Sequence, residues 1–225
     1  LPHDGLAAIG QTEWETFGEH GITVDVDTSS CGFKMTPQYV VQVMGLERNA
    51  FFGFLSGLNS VTRPTKTGFK LTIWYENLSA KDLLGAAHDY RWYVSWVGDT
   101  GRNAGITVSG KTGWKQDSST GSANTIYADV NTALSGYISK PRYFAALHGD
   151  AKTEQVQGPL VVYNPTATGF RLYVTAIDPL KPAQAEAANW TVSWVGVENA
   201  GASPALPDQP PATVGIAGDA WKKKG

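Results

Sequence analysis

The sequence predicts an all-β chain: two tandem antiparallel β-sandwich domains followed by an extended C-terminal tail. Three observations point that way. The 225 residues include 8 Trp, 9 Tyr and 8 Phe beside many β-branched residues, a composition that fits pleated, half-buried strands better than helices. The phrase PTKTGFKL at 64–71 returns as PTATGFRL at 165–172, and WYVSWVG at 92–98 returns as WTVSWVG at 190–196. Within these phrases apolar and polar residues alternate, the signature of a strand with one face in a core.

The repeat extends along both copies in one order. Trp14 and Trp114 open them, and VDVDTSSCGF at 24–33 aligns with ADVNTALSGY at 128–137. TPQYVVQVMG at 36–45 then aligns with KPRYFAALHG at 140–149, followed by the two phrases above. Five landmarks in one order are the mark of an internal duplication. The first copy is placed at 1–103, the second at 104–200, and a Pro- and Ala-rich tail at 201–225. The tail opens GASPALPDQPP, which reads as an extended linker. ATVGIAGDAW after it could add one short strand to a neighbouring domain or subunit.

Strand faces follow from parity. Phe69, Leu71 and Ile73 share one face, with Lys70, Thr72 and Trp74 on the other; Phe170, Leu172 and Val174 oppose Arg171, Tyr173 and Thr175. Trp92, Val94 and Trp96 alternate with Tyr93, Ser95 and Val97. The Thr-Gly-Phe phrase itself is expected to be a corner. Pro64 and Pro165 end the preceding strand because they cannot donate to a ladder. Gly68 and Gly169 are expected to take a positive φ or a bulge, and Thr67 and Thr168 to bond back to the turn. The segments between corner and Trp-x-Val-x-Trp strand are read as loops.

Net charge is −2 with acids and bases interspersed, which does not supply the basic footprint of a nucleic-acid binder. Lys222 to Lys224 reads as a solvated end. No apolar run approaches the roughly 20 residues of a membrane span. Leu1 in the first position fits a processed secretory chain, among other origins. The single cysteine, Cys31, cannot form an internal disulfide, and Ser135 holds its place in the second copy, so a small residue rather than a thiol is wanted there. Asp25 and Asp27, with Asp129 and Asn131, could suggest a hard-cation site. Their alternation with Val24 and Val26 reads instead as the outer face of a strand, so no metal and no cofactor is expected. His3, His20, His88 and His148 do not match between copies, and no nucleophile elbow, phosphate loop or zinc spacing occurs. The reading is non-enzymatic.

The order Pro–strand–Gly, Thr-Gly-Phe corner, strand, Trp-x-Val-x-Trp resembles the H-type lectin domain. Copy one carries the resemblance in TPQYVVQVMGL, NSVTRPTKTGFKLTIWY and YRWYVSWVG; copy two carries it in KPRYFAALHG, VVYNPTATGFRLYV and NWTVSWVG. The resemblance implies a compact six-stranded antiparallel sandwich that binds sugars through loop residues, often as a trimer. In that family a Trp tends to follow the strand after the corner. Trp74 holds that place in copy one, and Thr175 stands there in copy two.

The candidate ligand-binding residues are Trp74, Tyr75, His88, Asp89 and Tyr90, which have no counterparts in the second copy. An outward aromatic beside polar groups can stack on the C–H face of a sugar. A contact between domains or subunits explains Trp74 more simply, and a solvated loop explains His88. Asn77-Leu-Ser and Asn189-Trp-Thr are glycosylation acceptors on paper, with Asn77 in an expected loop and Asn189 at the start of a strand. Two functions follow. One is a secreted, extracellular or surface-associated lectin-like protein binding a glycan or glycoprotein. The other is a structural subunit of an extracellular or surface assembly, a homo-oligomer or polymer, with the tail contacting a neighbour.

Overall fold

A computed structural model describes residues 3–7, 12–46, 55–118, 122–158 and 160–198; the expected tail at 201–225 lies outside the described residues. Among the described residues, seven strands come from the first half of the chain: β1 His3–Leu6, β2 Glu15–Phe17, β3 Gly21–Asp27, β4 Gln38–Gly45, β5 Ser60–Thr65, β6 Gly68–Trp74 and β7 Trp92–Asp99. Seven come from the second: β8 Ala104–Ile106, β9 Lys115–Gln116, β10 Thr125–Asn131, β11 Arg142–His148, β12 Val161–Tyr163, β13 Gly169–Thr175 and β14 Thr191–Val197. The first half forms β1-β7-β4 and β2-β3-β6-β5; the second forms β8-β14-β11 and β9-β10-β13-β12. The protein is therefore mostly β, with antiparallel, sandwich-like sheets and the same strand order in both halves.

Burial follows the expected parity. Ile22, Val24 and Val26 of β3, Phe69, Leu71 and Ile73 of β6, and Trp92, Val94 and Trp96 of β7 share one core. Ile126, Ala128, Val130, Phe170, Leu172, Val174, Trp190, Val192 and Trp194 share the other. The opening tryptophans are anchored alike, Trp14 Nε1 donating to Trp92 O at 3.0 Å and Trp114 Nε1 to Trp190 O at 3.1 Å. A buried polar tie recurs too. Thr28 Oγ1 lies 2.7 Å from the Tyr39 hydroxyl, which donates to Thr65 O at 3.0 Å; Thr132, Tyr143 and Thr166 repeat this at 2.7 and 2.9 Å.

The corner works differently from the expectation. Gly68 and Gly169 do not take a positive φ; a Cβ there would run into the Val26 or Val130 carbonyl oxygen, so glycine permits a close strand approach. The left-handed residues are Arg63 (φ 49°) and Asn164 (φ 48°), just before the prolines. The β5–β6 register shifts between Thr62 and Thr65, so the bulge precedes Gly68 and Pro64 lies within β5. The hydroxyls that bond back belong to Thr65 and Thr166, donating to Gly68 O at 3.1 Å and Gly169 O at 3.0 Å. Thr67 and Thr168 supply backbone N–H donors to those hydroxyls.

Two of the expected loops contain helices. α1 spans Ala80–Asp89 and α2 spans Pro182–Ala187. Ser79 caps α1 by accepting from Asp82 N at 3.1 Å, and Ala80, Leu83, Ala86 and Ala87 bury one side. Pro182 suits the first turn of α2, where no N–H partner is needed.

The halves share a sheet. Ser60 and Val61 of β5 pair in parallel with Leu147 and His148 of β11, joining four strands of one half to three of the other. Side chains reinforce this seam. Ser193 Oγ and His148 Nε2 donate to Tyr39 O at 3.1 and 3.2 Å. Asn59 Nδ2 donates to Val41 O at 2.9 Å, its Oδ1 accepts from Leu160 N at 3.4 Å, and its carbonyl accepts from Leu147 N at 3.1 Å. Ala146 of β11 packs into the first core.

Candidate functional site

At the end of β6 the chain meets the second half through a short bridge. Ser56 exchanges both backbone hydrogen bonds with Trp74, at 2.9 and 3.1 Å, while Gly57 N donates to Val156 O at 2.9 Å. Ser56 also bridges to Gln157. Gly57 has a φ of 81°, and a Cβ there would meet the Thr72 carbonyl, so the bridge depends on glycine.

Beside this bridge lies a cavity of about 350 Å³. Tyr75, Glu76 and Asn77 line it from the first half, and Gln157, Gly158 and Thr175 from the second. The Tyr75 ring is half-buried against the first core, whereas Glu76, Asn77 and Gln157 are exposed. The set offers one aromatic face, one carboxylate that accepts, two amides that both donate and accept, and a hydroxyl. Such a mixture suits a small, uncharged, hydroxyl-rich ligand.

The expected site residues divide between two places. Tyr75 lines the cavity, and Trp74 precedes it at the strand end. The Trp74 ring lies half-buried over the Gly18 and Gly21 backbone and meets the His20 ring edge-on at 5.6 Å. His88 and Asp89 fall in the last turn of α1 and Tyr90 is its C-cap. The helix starts beside Tyr75, since Ala80 N donates to Glu19 O and Tyr75 N to His20 O. Nine residues of helical rise, about 13 Å, then carry Asp89 away from that start. Glu76, Gln157 and Gly158 were not singled out by the sequence. The bridge that gathers them joins positions a hundred residues apart and leaves no local pattern.

Asn77 is exposed on the cavity rim. Asn189 sits in the turn between α2 and β14 with φ 54°, not at a strand start. Its amide accepts from Ser109 Oγ and donates to Asp150 Oδ2, each at 2.7 Å. The acids weighed as cation ligands have other partners: Asp25 takes Lys70 Nζ at 2.8 Å, Asp27 takes Ser29 N at 2.8 Å, and Asn131 takes Ala133 N at 2.9 Å. Asp129 accepts from Arg171 and Lys115, and the Arg171 hydrogen bond holds its carboxyl below the usual range.

A larger cleft of about 860 Å³ lies between β5, β6 and the segment after β11. His148 lies beside it, 4% exposed. Burial pushes its pKa down to about 4, only partly opposed by the Tyr39 carbonyl, and among the described residues Nδ1 has no partner.

Compared with known proteins, the chain matches no family model, no curated protein and no solved structure.

Proposed function

We propose that the protein is a non-enzymatic, lectin-like carbohydrate-binding protein of the extracellular space or cell surface, built from two copies of one sandwich. The observation that carries this reading is the Tyr75–Gln157 cavity, where both halves contribute to one aromatic and hydroxyl-complementary set. A sugar would lay its C–H face on Tyr75 while Glu76, Asn77 and Gln157 take its hydroxyls. The order of corner and strands, shared with H-type lectin domains, supports the same reading. The matched strand orders, paired cores and repeated Tyr–Thr–carbonyl ties support the duplication. A glycan array with wild type, Trp74→Ala, Tyr75→Ala and Gln157→Ala tests it. Binding by wild type, weakened about tenfold or more by Tyr75→Ala or Gln157→Ala, is expected. Silence of wild type on every glycan would remove the reading.

A second reading, a structural subunit of an assembly, is favoured by an apolar groove of about 640 Å³ between the halves. Val40, Val97, Phe144, Leu160 and Val197 line it, with Phe144 53% exposed. The edge strand β12 borders it, as does β4, whose outward Tyr39 and Val41 carbonyls are already taken at the seam. Exposed apolar grooves and unpaired edges are where partners add. Light scattering on wild type, Phe144→Glu and a chain lacking 201–225 tests this. An oligomer lost in either variant supports it, and a wild-type monomer at all concentrations ends it.

A further inference from the structure

The outer face of the β9-β10-β13-β12 sheet carries a row of tyrosines that the other half lacks. Tyr127 of β10 and Tyr173 of β13 are direct cross-strand partners with ring centroids 5.4 Å apart. Tyr163 of β12 stands 5.1 Å from Tyr173 at 80°. The Arg171 guanidinium lies 4.2 Å over the Tyr127 ring, with Lys115 Nζ at 5.7 Å. Asp129 binds both cations: Arg171 through Nε at 2.7 Å and Nη2 at 3.1 Å, Lys115 at 3.0 Å.

The matching face of the first half keeps the ion pair and drops the aromatics. Thr23 and Thr72 are cross-strand partners there as Tyr127 and Tyr173 are here, and Thr62 holds the place of Tyr163. Asp25 and Lys70 hold the places of Asp129 and Arg171. The first-half face looks into the cleft against the second half, and Thr23 and Thr72 are only 6% and 7% exposed. Small hydroxyls thus occupy the covered face, and large rings the open one.

An open face has no steric need of aromatics, and exposed rings carry a solubility cost. Cross-strand stacking explains the Tyr127–Tyr173 pair at a few tenths of a kcal/mol to about 1. Tyr163 gains an edge-to-face contact with Tyr173 on the diagonal, but its direct register partner is Arg171 and it still leaves 48% of its surface in water. The chemistry narrows the occupant. Arg171, Lys115 and Asp129 together leave a net charge of only +1, short of the row of cations that a polyanion needs. Tyr and Arg are at home in a protein interface core, but Lys115 and Asp129 set among the rings are residue types depleted from one. Ring centroids 5.4 and 5.1 Å apart on neighbouring strands, with ionic donors and acceptors alongside, suit successive sugar residues that alternate apolar faces with hydroxyl edges.

We infer that this row is a second carbohydrate surface, separate from the Tyr75–Gln157 cavity, that takes an extended, uncharged polysaccharide lying across the strands. It shares only its ligand class with the proposed function. Affinity electrophoresis through native gels containing glucomannan, xylan or hydroxyethylcellulose tests it, with wild type, Tyr163→Ala, Tyr163→Thr and Gln157→Ala. Wild type should be retarded in at least one gel, both Tyr163 variants should bind that polymer tenfold or more weakly, and Gln157→Ala should run as wild type. Tyr163→Thr installs the residue the other half uses there, which keeps a folded comparison should Tyr163→Ala lose its circular dichroism. The inference is overturned if no gel retards wild type or if both folded Tyr163 variants are retarded equally with it. It is also overturned if Gln157→Ala alone abolishes retardation, which assigns the polymer to the cavity. A change in oligomeric mass in the Tyr163 variants would make the row a self-interface and likewise ends it. Glycan-array results for the cavity leave each of these outcomes readable.

Discussion

Tyr39 and Tyr143 each stand between a buried threonine hydroxyl and a more exposed corner carbonyl, so removing one phenolic oxygen takes a partner from both and strands the buried one. Tyr39→Phe and Tyr143→Phe should each cost about 1 kcal/mol in urea unfolding, and near-equal losses would mirror the repeated geometry. His148 makes a different, pH-dependent contribution. Its folded pKa of about 4 lies below the ordinary value of 6.5 because burial disfavours the charged ring. The unfolded chain therefore binds the extra proton first. The associated stability is present above pH 6.5, falls as pH drops through the interval from 6.5 to about 4, and is gone below it. On the order of 3 kcal/mol is at stake. Unfolding of wild type and His148→Gln followed across that interval should show the slope in the first and its loss in the second. The carboxyls of Asp129 and Asp27 are held below the usual range by the Arg171 hydrogen bond and the Ser29 backbone N–H respectively.

At the level of elements, α1 rests on its cap and one buried side. Ser79→Ala should cost about 1 kcal/mol, whereas Leu83→Ala, at a fully buried position, should cost about 2–5 kcal/mol; thermal unfolding distinguishes the two. This helix was hidden in the sequence although its parts are there: Ser79 three residues before Asp82, then Leu83, Ala86 and Ala87 on one side. The period-two signal of the flanking strands dominated, and so His88 and Asp89 were expected in a loop. The strands were legible because Phe69 and Phe170 each begin an alternation with a buried face. The corner's position was legible and its mechanics were not, since a glycine chosen for close approach and one chosen for positive φ look alike in sequence. Of the cavity, Tyr75 could be found by its place after the corner strand, while Asn77 stands out in the sequence only as a glycosylation acceptor. Gln157 and Gly158 could not, because only the Ser56–Gly57 bridge brings them near.

Over the whole molecule the shared seven-stranded sheet binds the fortunes of the two halves together. With β5 paired to β11, Ala146 in the first core, and Ser193 and His148 both bonded to Tyr39 O, neither half can lose its strands alone without stripping partners from the other. Calorimetry should show one unfolding transition, coincident with fluorescence and circular dichroism; two resolved transitions would mean the seam is weak. Asn59 holds that seam with an amide that donates on one side and accepts on the other. Exchange of the amide nitrogen for oxygen leaves shape and volume alone but turns the donor facing the Val41 carbonyl into an anion. Asn59→Asp, invisible to packing, would thus set an anion against a carbonyl and prise the seam open from inside.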